Sequence, residues 1–371
     1  MFYLRQLSER KNYMLLLCAL LTLELTVVCR TKPVDPEAAP AFEDILKVDV
    51  HSHVFEDIPG FVDMMRRNNL RIVNICFRGN DLEYMQQMEK QAELLHRKYP
   101  RHLLFASTFD LTERYESEYP QRVKEWVDGT FQAGAVMVKL WKEVGMEMKT
   151  KEGQFLMPDD PILDPLYEHL AKSGKPLLTH LADPLAAWLP LDPDSPHYRY
   201  YSRYPEWYAH GRKDFPGYDV IITARDHLLE KYPDLRVIGA HVGSMSHDLD
   251  QAADRLDRYP NLYLDTAARK RDLSRHSAEK VRAFFMRYED RILYGADVYR
   301  IPALDGTLSG WQRFKFIRNM EKRYREDYQY YAGSGTVRID GRKVECLALP
   351  RSILTKFFHG NAQRLIPELA F

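Results

Sequence analysis

Cysteine is scarce in this 371-residue chain: four in all, two of them, Cys18 and Cys29, within the first thirty residues. That count argues against a disulfide-held scaffold, so stability has to come from a buried core, with Cys76 and Cys346 read as buried, unpaired thiols. Net charge is lacking too, with 53 Lys+Arg against 53 Asp+Glu. Such a balance argues against a nucleic-acid partner, which wants a basic face or stripe. Long apolar runs are equally rare. The stretch from Met14 to Val28 is interrupted by Glu24 and falls short of the roughly 20 apolar residues that a membrane-spanning helix needs.

That stretch follows Arg5, Arg10 and Lys11 and ends at Cys29, which reads as a secretory leader over residues 1–29. The Cys after Leu25-Thr26-Val27-Val28 resembles a bacterial lipoprotein box, in which it becomes the acylated N-terminus, although Val28 stands where that pattern prefers a small residue. Pro33, Pro36 and Pro40 then suit a flexible tether over 30–44. The expectation is an exported protein, periplasmic or tethered to a membrane by a lipid anchor, with its folded body at 45–371.

From Ile45 onward strand-like runs alternate with helix-like segments, the signature of α/β architecture with parallel strands. Strands are expected near 46–50, 71–77, 103–108, 135–140, 176–180, 236–240, 262–265 and 292–296. Eight of them fit a closed (β/α)8 barrel of the TIM class better than an open sheet. Helices expected at 81–98, 119–131, 220–231, 247–258 and 276–288 join one that Asp164-Pro165 starts and Gly174 stops. Two regions break the rhythm. Residues 181–219 form a long insertion after the fifth strand, and its aromatic density argues against disorder, because such side chains need something to bury against. Near the C-terminus, Thr336 to Ile339 and Lys343 to Leu347 flank Asp340-Gly341, a two-residue hairpin signal.

Five polar residues stand at or just past the ends of apolar runs: His51 and His53 in KVDVHSH, His180 after PLLT, His241 after RVIGA and Asp297 after ILYGA. In a barrel of parallel strands every such end opens on one face, so residues far apart in sequence can converge on one cation. His51 and His53 lie two apart on a strand and therefore share a side. Taken singly, each of the others is as readily a hydrogen-bonded rim residue or a helix cap. Their equivalent placement in the βα units marks them as a ligand set, and three histidines with a carboxylate suit zinc or a similar first-row ion better than calcium or magnesium.

On Asp49-Val50-His51-Ser52-His53, the later histidines and the late Asp, the chain resembles the amidohydrolase superfamily of metal-dependent barrels. Gly134 to Trp141 (GAVMVKLW) and Phe358-His359-Gly360-Asn361-Ala362 resemble its amidohydrolase-related branch, which also includes decarboxylases; the likeness spans about 46–367. The resemblance implies that His51, His53, His180 and Asp297 bind a catalytic divalent metal, zinc in the first instance, as one ion or two. For His241 it implies an acid/base role or a place on a second ion. Lys139 stays open: binuclear members carry a carboxylated lysine there that bridges two ions, and a plain lysine paired with a carboxylate or with substrate is equally compatible.

Hydrolysis of an amide, ester or lactone bond in a small molecule by metal-activated water is then the expected reaction, with Asp297 and His241 as the catalytic groups. The alternative is nonoxidative decarboxylation or hydration of a carboxylated substrate on the same site, and the third reading is a tethered binding protein without catalysis. Arg269 and Arg271, after the seventh strand, could receive a carboxylate or phosphate of the substrate. Trp188 and Tyr201 of the insertion could cover an aromatic or sugar-like group. A solvated charge run, and aromatics that only pack the insertion onto the barrel rim, are the plainer readings of those residues.

Overall fold

Strands as apolar as LRIVNI, LLFAS and AVMVKL demand cover on both faces. In the computed structural model, which describes residues 37–302 and 306–370, a closed barrel provides it. Strands β1 (Lys47–Val54), β2 (Leu70–Ile75), β3 (Leu103–Ser107), β4 (Ala135–Leu140), β5 (Leu177–Thr179), β6 (Val237–Gly239), β7 (Leu262–Asp265) and β8 (Ile292–Leu293) lie side by side in chain order. Each neighbouring pair is parallel. The Val50 amide donates to the Tyr294 carbonyl at 3.0 Å and closes the ring. A two-residue strand, β9 (Tyr299–Arg300), adds to the end of β1. The fold is therefore the expected (β/α)8 barrel.

Inside the barrel, Val48, Val50, Ile75, Leu104, Met137 and Leu178 meet Leu365 and Leu369 from the C-terminal segment. Outside it, apolar stripes of α1 (Phe61–Arg67), α2 (Leu82–Lys98), α3 (Tyr119–Gln132), α4 (Asp164–Ser173), α5 (Tyr218–Lys231), α6 (Leu249–Arg258) and α7 (Ala278–Arg287) cover the strands. The eighth strand, expected over 292–296, stays regular for two residues only. Gly295 to Asp297 turn away, and Asp297 adopts a left-handed φ of 54°.

The sequence reading did not foresee α8 (Gly310–Ala332), whose 23 residues make up the structure's longest described helix. Its signals are nonetheless present. Ser309 and Gln312 form a capping box, and the buried positions Met320, Tyr324, Asp327 and Tyr331 recur at helical spacing. Because three of those four are Tyr or Asp, an aliphatic periodicity search passes over them. The hairpin that follows matches expectation, with β10 (Thr336–Ile339) and β11 (Arg342–Glu345) antiparallel around Asp340 and Gly341, both at positive φ.

The end of the segment expected as a tether over 30–44 packs on the folded body. Phe42 is buried with its ring 5.5 Å from that of Tyr328, and Glu43 pairs with Arg325 at 2.6 Å, so the chain joins the body before Ile45. The leader and Cys29 lie outside the described residues. Cys76 and Cys346 are buried and free. No helix among the described residues is long and apolar enough to cross a membrane.

A buried carboxylate joins β1, the β8 turn and α8. Asp49 accepts from the His51 and Ala296 amides (3.0 and 2.9 Å), from Ser52 Oγ (2.5 Å) and from Tyr324 Oη (2.7 Å). Burial pushes its pKa up to about 6, against those same hydrogen bonds. Tyr324→Phe should cost about 1–2 kcal/mol in urea unfolding, and Asp49→Ala, which strands several buried donors, about 3 kcal/mol or more.

Candidate metal centre

One extra residue in β1 decides where its histidines point. Asp49 pairs with Ile72 of β2, but Ser52 pairs with Asn74, so three steps on one strand match two on its neighbour. Such a bulge shifts the alternation of side chains by one. Asp49 and Ser52 therefore face outward and hydrogen-bond each other. His51 and His53 turn inward, toward Lys139 of β4 and Asp265 of β7.

Three imidazoles are held through Nδ1. His51 Nδ1 lies 2.8 Å from Asp265 Oδ2, His53 Nδ1 is 2.8 Å from the Ile75 carbonyl, and His241 Nδ1 is 2.8 Å from the Ala267 carbonyl. A carbonyl only accepts, so Nδ1 carries the proton in His53 and His241 and Nε2 is left with its lone pair. That is the tautomer a metal ligand needs, with the second nitrogen fixed by its own partner. Burial drives His53 down to about 3 and holds His180 and His241 well below the ordinary histidine value, so all three rings are neutral at neutral pH.

His241 owes its aim to an unusual turn. His241, Val242, Gly243 and Ser244 all have φ near +60°, a conformation that costs a non-glycine residue roughly 1–2 kcal/mol. Several bonds hold it: the His241 amide to Asp265 Oδ1 (2.8 Å), Arg225 Nη1 to the Gly243 carbonyl (2.8 Å) and Ser244 Oγ to the Ala182 carbonyl (2.7 Å). At Gly243 a Cβ would lie 3.0 Å from Arg225 Nη1 as well as straining the backbone.

Donor atoms of His51, His53 and Asp297 all lie within 4.8 Å of one another, with His53 Nε2 and Asp297 Oδ1 3.6 Å apart. Ligands bonded to one ion at about 2.0–2.2 Å stand roughly 3–4 Å apart, so the set fits a first-row cation. Burial opposes ionisation of Asp297, but the positive charge around it, the permanently charged Arg323 guanidinium included, outweighs burial and holds the carboxyl below the usual range. His180 stands on the far side, its ring 4.3 Å from that of His241. Its Nε2 is buried without a hydrogen bond and lies 3.4 Å from Asp183 Oδ1. That carboxylate is its near partner, and His180 is not among the donors that lie mutually within 4.8 Å with His51, His53 and Asp297. A second group of donors, His51, His241 and Asp265, is also compact. There both Asp265 oxygens already accept hydrogen bonds, from His51 Nδ1 and from the amides of His241 and Ala267, so this acid orients the candidate ligands.

Lys139 is fully buried on β4 and its amine has no hydrogen-bond partner. Burial lowers its pKa to about 8, with Asp265, Asp297 and Glu143 pulling the other way. Arg269 is buried as well and adds to the cations that depress His180 and His241. Arg271 is not at the centre: its side chain is largely exposed and pairs with Asp340 at 3.0 Å, because the short helix Lys270–Leu273 carries it outward. Trp188 is turned away too. Its Nε1 donates to the Pro216 carbonyl and its ring packs on Tyr218 and Phe215, which makes it a fastener of the insertion. Tyr201 is buried among Tyr200, Tyr208 and His197, with its hydroxyl beside the Asp183 carboxylate.

Three residues near the centre escaped the sequence reading. Asp265 closes β7 at the same strand-end position as the histidines, so the same rule would have found it. Asp183 and Lys142 gave less warning. The Lys142 amine is buried 2.8 and 2.9 Å from the Asp183 oxygens, 3.0 Å from Tyr200 Oη and 4.0 Å above the Trp207 ring, tying the insertion to the end of β4.

Replacing Asp265 by Asn puts an amide where His51 Nδ1–H or the His241 amide now finds an acceptor. Competitive chelator titration should show metal affinity lowered about 10–100-fold with the fold retained.

A model of the amidohydrolase family matches residues 112–367, which takes in Lys139, His180, His241 and Asp297 and leaves His51 and His53 upstream. No curated protein sequence matches the chain. Among solved structures, an uncharacterised TIM-barrel protein of Bordetella bronchiseptica has a TM-score of 0.51 at 14% identity, covering 88% of this chain and 100% of its own. The 5-carboxyvanillate decarboxylase of Sphingomonas paucimobilis has a TM-score of 0.51 at 11% identity, covering 87% and 99%. At those identities the two structures speak to the barrel alone. The family match spans well over half of the sequence and contains most of the metal-binding candidates, and the chain belongs to the amidohydrolase family of metal-dependent enzymes.

Proposed function

We propose that the chain hydrolyses an amide, ester or lactone bond in a small molecule that carries an anionic group, using one divalent ion, zinc, held by His51, His53, His180 and Asp297. The observation that carries this reading is the compact donor group: His53, buried, neutral and anchored through Nδ1, with its Nε2 3.6 Å from the Asp297 carboxylate and a donor atom of His51 within 4.8 Å of both. A zinc ion bound there supplies Lewis-acid activation of water and of the scissile carbonyl.

The chain's own residues account for the proton and the substrate charge. Asp297 is the more open of the group, with 27% of its side chain exposed against 10% for His53. It orients the attacking water and accepts its proton. His241 Nε2 is an acceptor in this tautomer, so it donates to the leaving group only after receiving the proton that Asp297 took from the water. Arg269, buried and among the described residues paired only with Asp272 at 4.0 Å, receives the anionic group of the substrate. Lys139 serves as an unmodified amine that balances Asp297 and Asp265.

Decarboxylation or hydration of a carboxylated substrate stands as a second reading, favoured by the same buried cations, which would hold a substrate carboxylate against the centre. Product analysis separates the two. With a panel of N-acyl compounds, esters and lactones, each with and without a carboxylate, the hydrolytic reading expects acid and amine or alcohol in equal amounts and no carbon dioxide. Asp297→Asn should lower kcat about 100-fold or more, and Arg269→Ala should raise KM for the anionic members. Stoichiometric carbon dioxide release would decide for the second reading. The leader over 1–29 we propose to direct export with acylation at Cys29, and incorporation of a fatty-acid analogue that is lost in Cys29→Ser checks it.

A further inference from the structure

A cleft of about 780 Å³ opens beside the metal centre, walled by the loops after β7 and β8, by α8 and by the β10–β11 hairpin. None of the five metal-centre residues lines it. Its size falls within the range of small-molecule sites, about 300–1,000 Å³.

Its charge is unevenly spent. Four cations, Lys270, Arg271, Arg323 and Arg338, face three acids, Glu326, Asp327 and Asp340. Each acid is already engaged: Asp327 with Lys270 at 2.6 Å and Tyr294 Oη at 3.0 Å, Asp340 with Arg271 at 3.0 Å, and Glu326 with Lys322 at 3.7 Å. Arg323 and Arg338 form no ion pair among the described residues. Their guanidinium groups donate to the carbonyls of Ala296 and Gly341, leaving further N–H groups for a ligand. A single guanidinium takes a carboxylate or a phosphate through two parallel hydrogen bonds.

We infer that this cleft is a second binding site, for a small molecule bearing carboxylate or phosphate groups, with half-buried Arg323 at its base and exposed Arg338 at its rim. The run Arg269-Lys270-Arg271 thus divides its labour: Arg269 faces the metal centre, while Lys270 and Arg271 line the cleft. An occupant would also touch the chain next to Asp297, since Arg323 holds the Ala296 carbonyl.

Isothermal titration of the full chain, loaded with its metal, tests the inference with succinate and inorganic phosphate as probes at low ionic strength. Beyond any uptake at the metal centre, at least one probe should bind saturably at one further equivalent per chain, and the stronger one identifies the ligand as carboxylate or phosphate. Arg338→Ala, on an exposed strand where folding is not at stake, should weaken binding tenfold or more, and Arg323→Lys should weaken it similarly. His180→Ala should leave it unchanged. Binding that is lost in His180→Ala would place the anion at the metal centre and overturn the inference. So would undiminished binding in Arg338→Ala and Arg323→Lys, or the absence of saturation with both probes.

Discussion

The bulge in β1 is the constraint on which the rest of the site depends. Without its extra residue, strict alternation would send either Asp49 or the His51/His53 pair to the wrong side of the barrel wall. With it, one short stretch does two jobs. Its outward carboxylate ties β1 to the β8 turn and α8, and its inward imidazoles face the other strand ends. The two jobs are linked, because the Ala296 amide that Asp49 holds is next to Asp297, and the Asp297 amide itself bonds the His51 carbonyl at 2.7 Å.

Strain is concentrated at the same end of the barrel. Non-glycine residues in the left-handed region follow β2, β5, β6, β7 and β8, at Arg78, Ala182, His241, Ala268 and Asp297 among others. A fold that tolerates roughly 1 kcal/mol or more at each such position must over-determine them elsewhere. Asp265 does so for two of these loops at once, bonding His51, His241 and Ala267. Buried Arg225 and Ser244 secure the His241 turn from the outer side. The result is a braced cluster of imidazoles and one carboxylate that could hold a cation at the strand ends.

Much of this was legible beforehand, and the reasons differ by element. Strand positions followed from short apolar runs, and the polar residues ending them from the rule that parallel barrels open on one face. Left unread were features that depend on register or on partners distant in sequence. The bulge cannot be seen in KVDVHSHV because it exists only relative to β2. Helix α8 buries tyrosines and an aspartate where an aliphatic pattern is expected. Arg271 and Trp188 have the right chemistry for a substrate contact, yet a short helix turns one outward and a carbonyl of the insertion claims the other.

The central claim is that His51, His53, His180 and Asp297 jointly grip one ion. Elemental analysis of protein purified without chelator, set beside the His51→Ala and His180→Ala variants, tests it most directly. The account predicts about one equivalent of a divalent first-row metal in the parent chain and a sharp loss in both variants at retained fold. Full metal content in the variants, or two equivalents in the parent, would contradict it.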